Sequence, residues 1–235
     1  MKVRHPDYAV RERIVQVLPE LVHSHRGLVL ELTTLLLHDR EMLLRAEACS
    51  TVADLKLIEL RNEVEQMALV DSNWVVRAEA VETLGDMGDR AALPVLLSAA
   101  DDPDENVRAY TAIASGLLGT LQDESWLEKW AGREPCERVR NEINAARARL
   151  GSDAGWKAFI GAFKVTDTEF VIELLLTIVG DLLERRTPGP LLSDPTSLLY
   201  VLRKEAASGR HTTANRARIL AERLESLISK PVENS

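Results

Sequence analysis

The sequence predicts an all-α fold, a solenoid of stacked helical hairpins, and three observations carry that expectation. An apolar residue followed by arginine recurs at Arg11, Arg45, Arg77, Arg108 and Arg140, at intervals of 34, 32, 31 and 32 residues. An acid stands six residues before each of the last four: Asp39, Asp71, Asp102 and Glu134. Between these markers lie stretches with apolar residues at helical spacing, in a chain of 235 residues that is 46% hydrophobic and 28% charged. That composition is globular and long enough for a substantial core.

Each arginine belongs to a helix with an apolar stripe, as in Val76, Ala80, Val81 and Leu84. Gly85 and Gly116 follow at equivalent places, where small residues permit close packing or a cap. A second set of apolar helical stretches fills the gaps, over Leu28–Leu37, Leu55–Val70, Ala91–Ala100 and Glu124–Ala131. The preceding acid suits an N-cap or a turn. The unit is thus helix, acidic turn, helix. One such hairpin cannot bury its apolar face alone, whereas stacking on neighbours does. Beyond the break Gly151-Ser152-Asp153-Ala154-Gly155, a strongly apolar helix is expected over Glu169–Leu183. Its Phe170-Val171-Ile172 and Leu174-Leu175-Leu176 runs predict burial on most sides. Thr187-Pro188-Gly189-Pro190 predicts a turn or loop; helices follow over Pro195–Ala207 and Thr213–Ser229 around Gly209, and Pro231–Ser235 is expected to fray. Residues 1–151 therefore read as about five repeats, and 152–235 as degenerate repeats with a C-terminal helical cap of the same solenoid.

Spacing, acid and arginine together resemble HEAT repeats, particularly the short type also found in phycobilisome lyases. Pro94, in Ala92-Leu93-Pro94-Val95-Leu96-Leu97, matches the proline that such repeats often carry in their first helix. The resemblance covers roughly residues 5–151 and is strongest from Asp71 to Gly119. It implies a right-handed α-solenoid and a structural ladder of Asp39, Arg45, Asp71, Arg77, Asp102, Arg108 and Arg140 linking neighbouring repeats. It implies no particular activity, because these scaffolds serve many functions.

The sequence offers little chemistry. HEAT-repeat hydroxylases hold a di-iron centre through His-Glu pairs, but none of His5, His23, His25, His38 and His211 precedes a glutamate. His23 and His25 point about 200° apart on a helix and so read as a polar helix end. There is no HExxH, CxxC, GxGxxG, P-loop or GxSxG motif. Cys49 and Cys136 are 87 positions apart and read as reduced, core-filling residues. No catalytic residue, metal or cofactor is expected. No apolar run reaches the ~20 residues that span a bilayer, and the start Met1-Lys2-Val3-Arg4-His5-Pro6 is unlike a signal peptide, so the expected location is cytoplasmic.

A binding face has more support. In solenoids of this kind the second helix of each repeat lines the concave side, bringing equivalent positions into lines about 10 Å apart. Three residues before the arginines stand Tyr8, Met42, Trp74, Glu105 and Glu137; two after stand Arg13, Glu47, Glu79, Tyr110 and Glu142; five after stand Gln16, Ser50, Glu82, Ile113 and Ala145. Trp74, Glu79, Glu82, Glu47, Tyr110, Glu105 and Glu142 are the candidate partner-binding residues. Trp126, Trp130 and Trp156 read as core or cap residues, Trp126 and Trp130 lying one helical turn apart.

Charge separates the functional readings. The chain carries 37 acidic and 29 basic residues, and residues 61–106 hold eleven of the acids with only three bases. Such a field repels a phosphate backbone and attracts a basic protein surface. The expected function is a non-enzymatic scaffold that binds a basic protein partner, in its sharper form a bacterial immunity protein neutralising a nuclease-type toxin. The alternatives are a bilin lyase or chaperone-like subunit, which the lyase resemblance implies, and a HEAT-like DNA glycosylase with Trp74 beside a carboxylate. The central negative charge argues against nucleic acid. A mildly basic C-terminal stretch holds Arg185, Arg186, Arg203, Lys204, Arg210, Arg216, Arg218 and Arg223 and reads as a solvated face or a secondary contact.

Overall fold

The computed structural model describes residues 7–166, 168–185, 191 and 195–229, and the regular elements among them are all helical. His5 and the expectations for Thr187–Pro190 and Pro231–Ser235 lie outside the described residues. The chain forms two compact units, Met1–Leu118 and Gly119–Ser235, and the division falls between the third and fourth acid-containing hairpins. All of the net charge belongs to the first: residues 1–118 carry twenty acids and twelve bases, whereas the second unit balances at seventeen of each.

The first unit contains α1 (Tyr8–Leu21), α2 (Arg26–Leu37), α3 (Met42–Asp54), α4 (Arg61–Val70), α5 (Trp74–Met87), α6 (Leu93–Ala99) and α7 (Glu105–Leu118). The arginine helices α1, α3, α5 and α7 lie side by side as one layer; α2, α4 and α6 form the other. Small residues let the first layer close up. Ala46, Ala48 and Cys49 on α3, Ala78 and Ala80 on α5, and Ala109, Ala112 and Ala114 on α7 are all buried. Gly85 is required there, since a Cβ would stand 3.0 Å from the Ala114 backbone. Leu18, Leu36, Leu44, Val64, Leu84 and Leu96 fill the space between the layers, each worth roughly 1.5–3 kcal/mol by removal from water.

One helix differs from expectation. The stretch Leu55–Val70 is not continuous: Lys56 adopts φ 53°, the Leu57 amide donates to Val52, and a short 3-10 turn over Ile58–Leu60 leads into α4. A left-handed lysine carries none of the glycine or proline that ordinarily marks such a break. A similar 3-10 turn, Arg90–Ala92, precedes α6 and places Pro94 in its first turn, where the missing N–H costs nothing.

The acid and arginine series fastens successive hairpins. Arg77 donates through Nε and Nη2 to Asp102, at 2.7 and 2.9 Å, and through Nη1 to the Asp71 carbonyl at 2.9 Å. Arg45 repeats this one step earlier, on Asp71 at 2.7 and 2.9 Å and on the Asp39 carbonyl at 2.9 Å. Arg11 donates to Asp39 at 2.7 and 3.1 Å. Arg108 reaches the Asp102 carbonyl at 2.8 Å, and Arg140 the Glu134 carbonyl at 2.8 Å. The six-residue spacing therefore serves the main chain of the arginine's own turn, while the side-chain partner of Arg11, Arg45 and Arg77 is the acid of the following hairpin. Nor is that acid the N-cap. Asp39, Asp71, Asp102 and Glu134 each accept the amide two residues on, at 2.8–3.0 Å, and so shape the turn. Asn73, one of those next-but-one residues, caps α5 by accepting from the Val75 amide. Burial opposes ionisation of Asp71, but the Arg45 guanidinium and the Asn73 amide outweigh it and hold the carboxyl below its ordinary value.

The second unit contains α8 (Glu124–Arg133), α9 (Glu137–Arg149), α10 (Asp153–Val165), α11 (Glu169–Glu184), α12 (Thr196–Ala206) and α13 (His211–Ser229). Here α9, α11 and α13 neighbour one another in turn, as do α10 and α12, so the alternation of layers persists within this unit. Its core centres on Phe159, Leu175, Val179, Leu182, Leu198 and Ala217. Gly155 permits α10 to press on α9, because a Cβ there would sit 2.4 Å from the Arg147 Cβ. Trp130 and Trp156 are buried, and Trp126 stacks on Trp130 at 5.4 Å while staying half-buried. Burial along α11 is narrower than its composition predicts: Ile172, Leu175 and Leu176 are buried, whereas Phe170 is 76% exposed at the helix start.

Candidate binding face

The outward side of the α1, α3, α5 and α7 layer brings together most of the candidate residues. Positions two, five and nine after each arginine recur on one helical face. They are Glu47, Ser50 and Asp54 on α3, Glu79, Glu82 and Asp86 on α5, and Tyr110, Ile113 and Leu117 on α7. Glu47, Glu79, Glu82 and Tyr110 are half-buried, lying between neighbouring helices rather than standing free in solvent. Tyr110 packs against the core with one face.

The electrostatics are those of crowded like charges. Partial burial raises the Glu79 carboxyl above its ordinary value, and Glu82, Asp86 and Asp54 raise it further; only the Ser50 hydroxyl acts the other way. Burial likewise raises Glu47, with Glu12 of α1 adding to the effect. The Tyr8 hydroxyl, which donates to Glu12 at 3.2 Å, is raised first by desolvation and then by Glu12, Glu47 and Glu41. Every charged group acting on Glu47 or Glu79 is itself an acid. An acidic seam thus crosses α1, α3 and α5. Glu12, Asp54 and Asp86 belong to it although the repeat lines at minus three, plus two and plus five omit them. Extending those lines one more turn, to plus nine, finds Asp54 and Asp86; Glu12 directly follows Arg11, one place short of the plus-two line.

Other candidates fall elsewhere. Trp74 is the first residue of α5 and 43% exposed, at the edge beside the Asp71 turn. Glu105 is exposed at the start of α7. Glu142 does not join the face. It belongs to the second unit, where α9 is flanked by α10 and α11, and it is only 8% exposed. Burial drives its carboxyl up to about 7, with Asp181 adding and Arg149 and Arg138 opposing. The repeat position that is open on α3 and α5 is covered on α9.

His25 precedes α2 and its Nδ1 lies 2.8 Å from the Ser24 hydroxyl, with His23 in the turn before it. Cys49 is a buried, free thiol that burial pushes well above its ordinary value. Cys136 is also free, but it is half-buried at the N-cap of α9 rather than in the core. Among the described residues no three His, Cys, Asp or Glu side chains are grouped to hold a metal ion, and no helix is long and apolar enough to cross a membrane.

Residues 62–147 match the family model of HEAT repeats. No curated protein matches the sequence. Among solved structures, the complex of CpcE and CpcF of phycocyanin lyase from Nostoc sp. PCC7120 superposes with a TM-score of 0.63 at 16% identity, over 95% of this chain and 92% of that one. The archaeal HEAT-like repeats protein from Thermococcus onnurineus NA1 gives 0.43 at 16% identity, covering 92% and 98%. Human deoxyhypusine hydroxylase in complex with glycerol gives 0.44 at 17% identity, covering 94% and 92%. The first of these likenesses, with the repeat match, makes the fold that of a HEAT-repeat α-solenoid.

Proposed function

We propose that this HEAT-repeat chain is a non-enzymatic scaffold that grips a basic protein partner with the acidic seam of its first unit. The single observation behind the reading is that the charged groups acting on Glu47 and Glu79 are other acids, Glu12 on the first and Glu82, Asp86 and Asp54 on the second. Such crowding costs stability, and a basic partner would relieve it while the field speeds encounter. Trp74 at the edge supplies an aromatic anchor of the kind that dominates binding energy. In its sharper form the partner is a nuclease-type toxin and this protein its immunity factor, the seam carboxylates taking the places where substrate phosphates would bind.

The experiment is affinity capture from native lysate followed by titration calorimetry with the protein so captured. Glu47→Lys/Glu79→Lys/Glu82→Lys should weaken binding by about a hundredfold or more, and rising salt should weaken the wild type. Trp74→Ala should reduce affinity more than it lowers the melting temperature. Affinity indifferent to both salt and charge reversal would refute the electrostatic reading. Inhibition of a captured nuclease would establish the immunity form.

A second reading, a bilin lyase or chaperone-like subunit, is favoured by the near-complete overlap with the phycocyanin lyase structure. Bilin absorbance that stays with the protein through gel filtration supports it, and its absence removes it.

A further inference from the structure

The basic C-terminal stretch is largely self-neutralised. Arg185 pairs with Asp181, Arg203 with Glu225, Arg210 with Glu205, Arg216 with Glu173, Arg218 with Glu222 and Arg223 with Glu184. Lys204 on α12 and Lys164 at the end of α10 have no ion pair among the described residues, and both border one recess of about 260 Å³. Its apolar walls are Phe163, Ile172, Tyr200 and Val201. Glu205, also on the lining, does not cancel the lysines. Its carboxylate accepts from Arg210, Ser208 and Thr213, and these bonds hold it ionised against the opposing effect of burial. Tyr200, 64% exposed, and Lys204 lie one helical turn apart and also border a second, shallower recess with Thr196, Leu199 and Arg203.

We propose that the Lys164–Lys204 recess of the second unit binds a small aromatic carboxylate, its ring between Phe163, Ile172 and Tyr200 and its carboxylate between the two ammonium groups. The volume lies below the roughly 300 Å³ at which drug-sized ligand sites begin, which favours a compact molecule. Arg210, also on the lining, is paired with Glu205, which leaves two lysines over apolar walls to select an anion carrying an apolar body, and an exposed tyrosine offers the face on which a ring stacks. The site is separate from the acidic seam and takes a ligand of opposite charge to the seam's partner.

The test is titration of the full chain with 2-naphthoate and with its uncharged analogue 2-naphthamide, followed by amide chemical shifts in NMR. Saturable naphthoate binding with shifts at Lys164, Tyr200 and Lys204, and affinity at least about tenfold above that of the amide, is the expected result. Lys164→Gln/Lys204→Gln should abolish that preference, and Tyr200→Ala should weaken both probes. All three positions are exposed or nearly so, and circular dichroism checks that the variants fold. Equal binding of the two probes, no saturable binding, or an undiminished double-lysine variant overturns the proposal without touching the seam reading.

Discussion

Removing Arg77 probes the ladder most directly. Its side chain and that of Asp102 are 12% and 8% exposed, and they share two hydrogen bonds at 2.7 and 2.9 Å. Arg77→Ala deletes both, together with the bond to the Asp71 carbonyl, and leaves a nearly buried carboxylate with only the Asp104 amide that is seen to donate to it. Breaking a buried pair from one side costs about 3–5 kcal/mol, and the retained amide places this case near 3. For a chain of this length about 2–4 °C is lost per kcal/mol, so the midpoint should fall by roughly 6–12 °C. Thermal and urea unfolding followed by far-UV circular dichroism measure it. Arg77→Met/Asp102→Asn should recover much of the loss, because the asparagine keeps an acceptor for Asp104 and removes the stranded charge. A midpoint unmoved by Arg77→Ala refutes the assignment, and a double variant as unstable as the single one refutes the stranded-charge explanation.

Two further outcomes follow from the second unit. Glu142 is raised from 4.5 to about 7, so between those values the folded chain holds a proton that the unfolded chain has released. Stability should therefore fall as pH rises from about 4.5 to 7, by about 3 kcal/mol in all, and Glu142→Gln should flatten that slope in urea titrations across pH. Gly155→Ala should cost about 1–3 kcal/mol, since the new Cβ overlaps Arg147, whereas Gly161→Ala on the same helix meets nothing within 4 Å and should gain about 0.5–1 kcal/mol in the same assay.

The repeat and its ladder residues were legible because both reflect short-range geometry: an arginine six residues past a turn reaches that turn's carbonyl at Arg45, Arg77, Arg108 and Arg140. Partner assignment across hairpins was not, because nothing local says whether Asp102 is met by Arg108 or by Arg77. The seam was legible where packing repeats, at Glu47, Glu79 and Glu82. It failed at Glu142, where α10 and α11 cover an equivalent position, and at Phe170, which begins α11 without a neighbour over it. Lys56 hid a break because the backbone, not the residue type, adopts the unusual conformation. The recess at Lys164 and Lys204 joins residues forty positions apart on helices outside the clear repeats, so no periodic signal announces it.

Arg45 and Arg77 are each moored at two bends, one behind and one ahead. No bend from Asp39 to Asp102 can slacken without tugging on the one beside it. A chain built this way gives under tension as a zip does, tooth after shared tooth from whichever end is caught first, rather than by popping open in the middle.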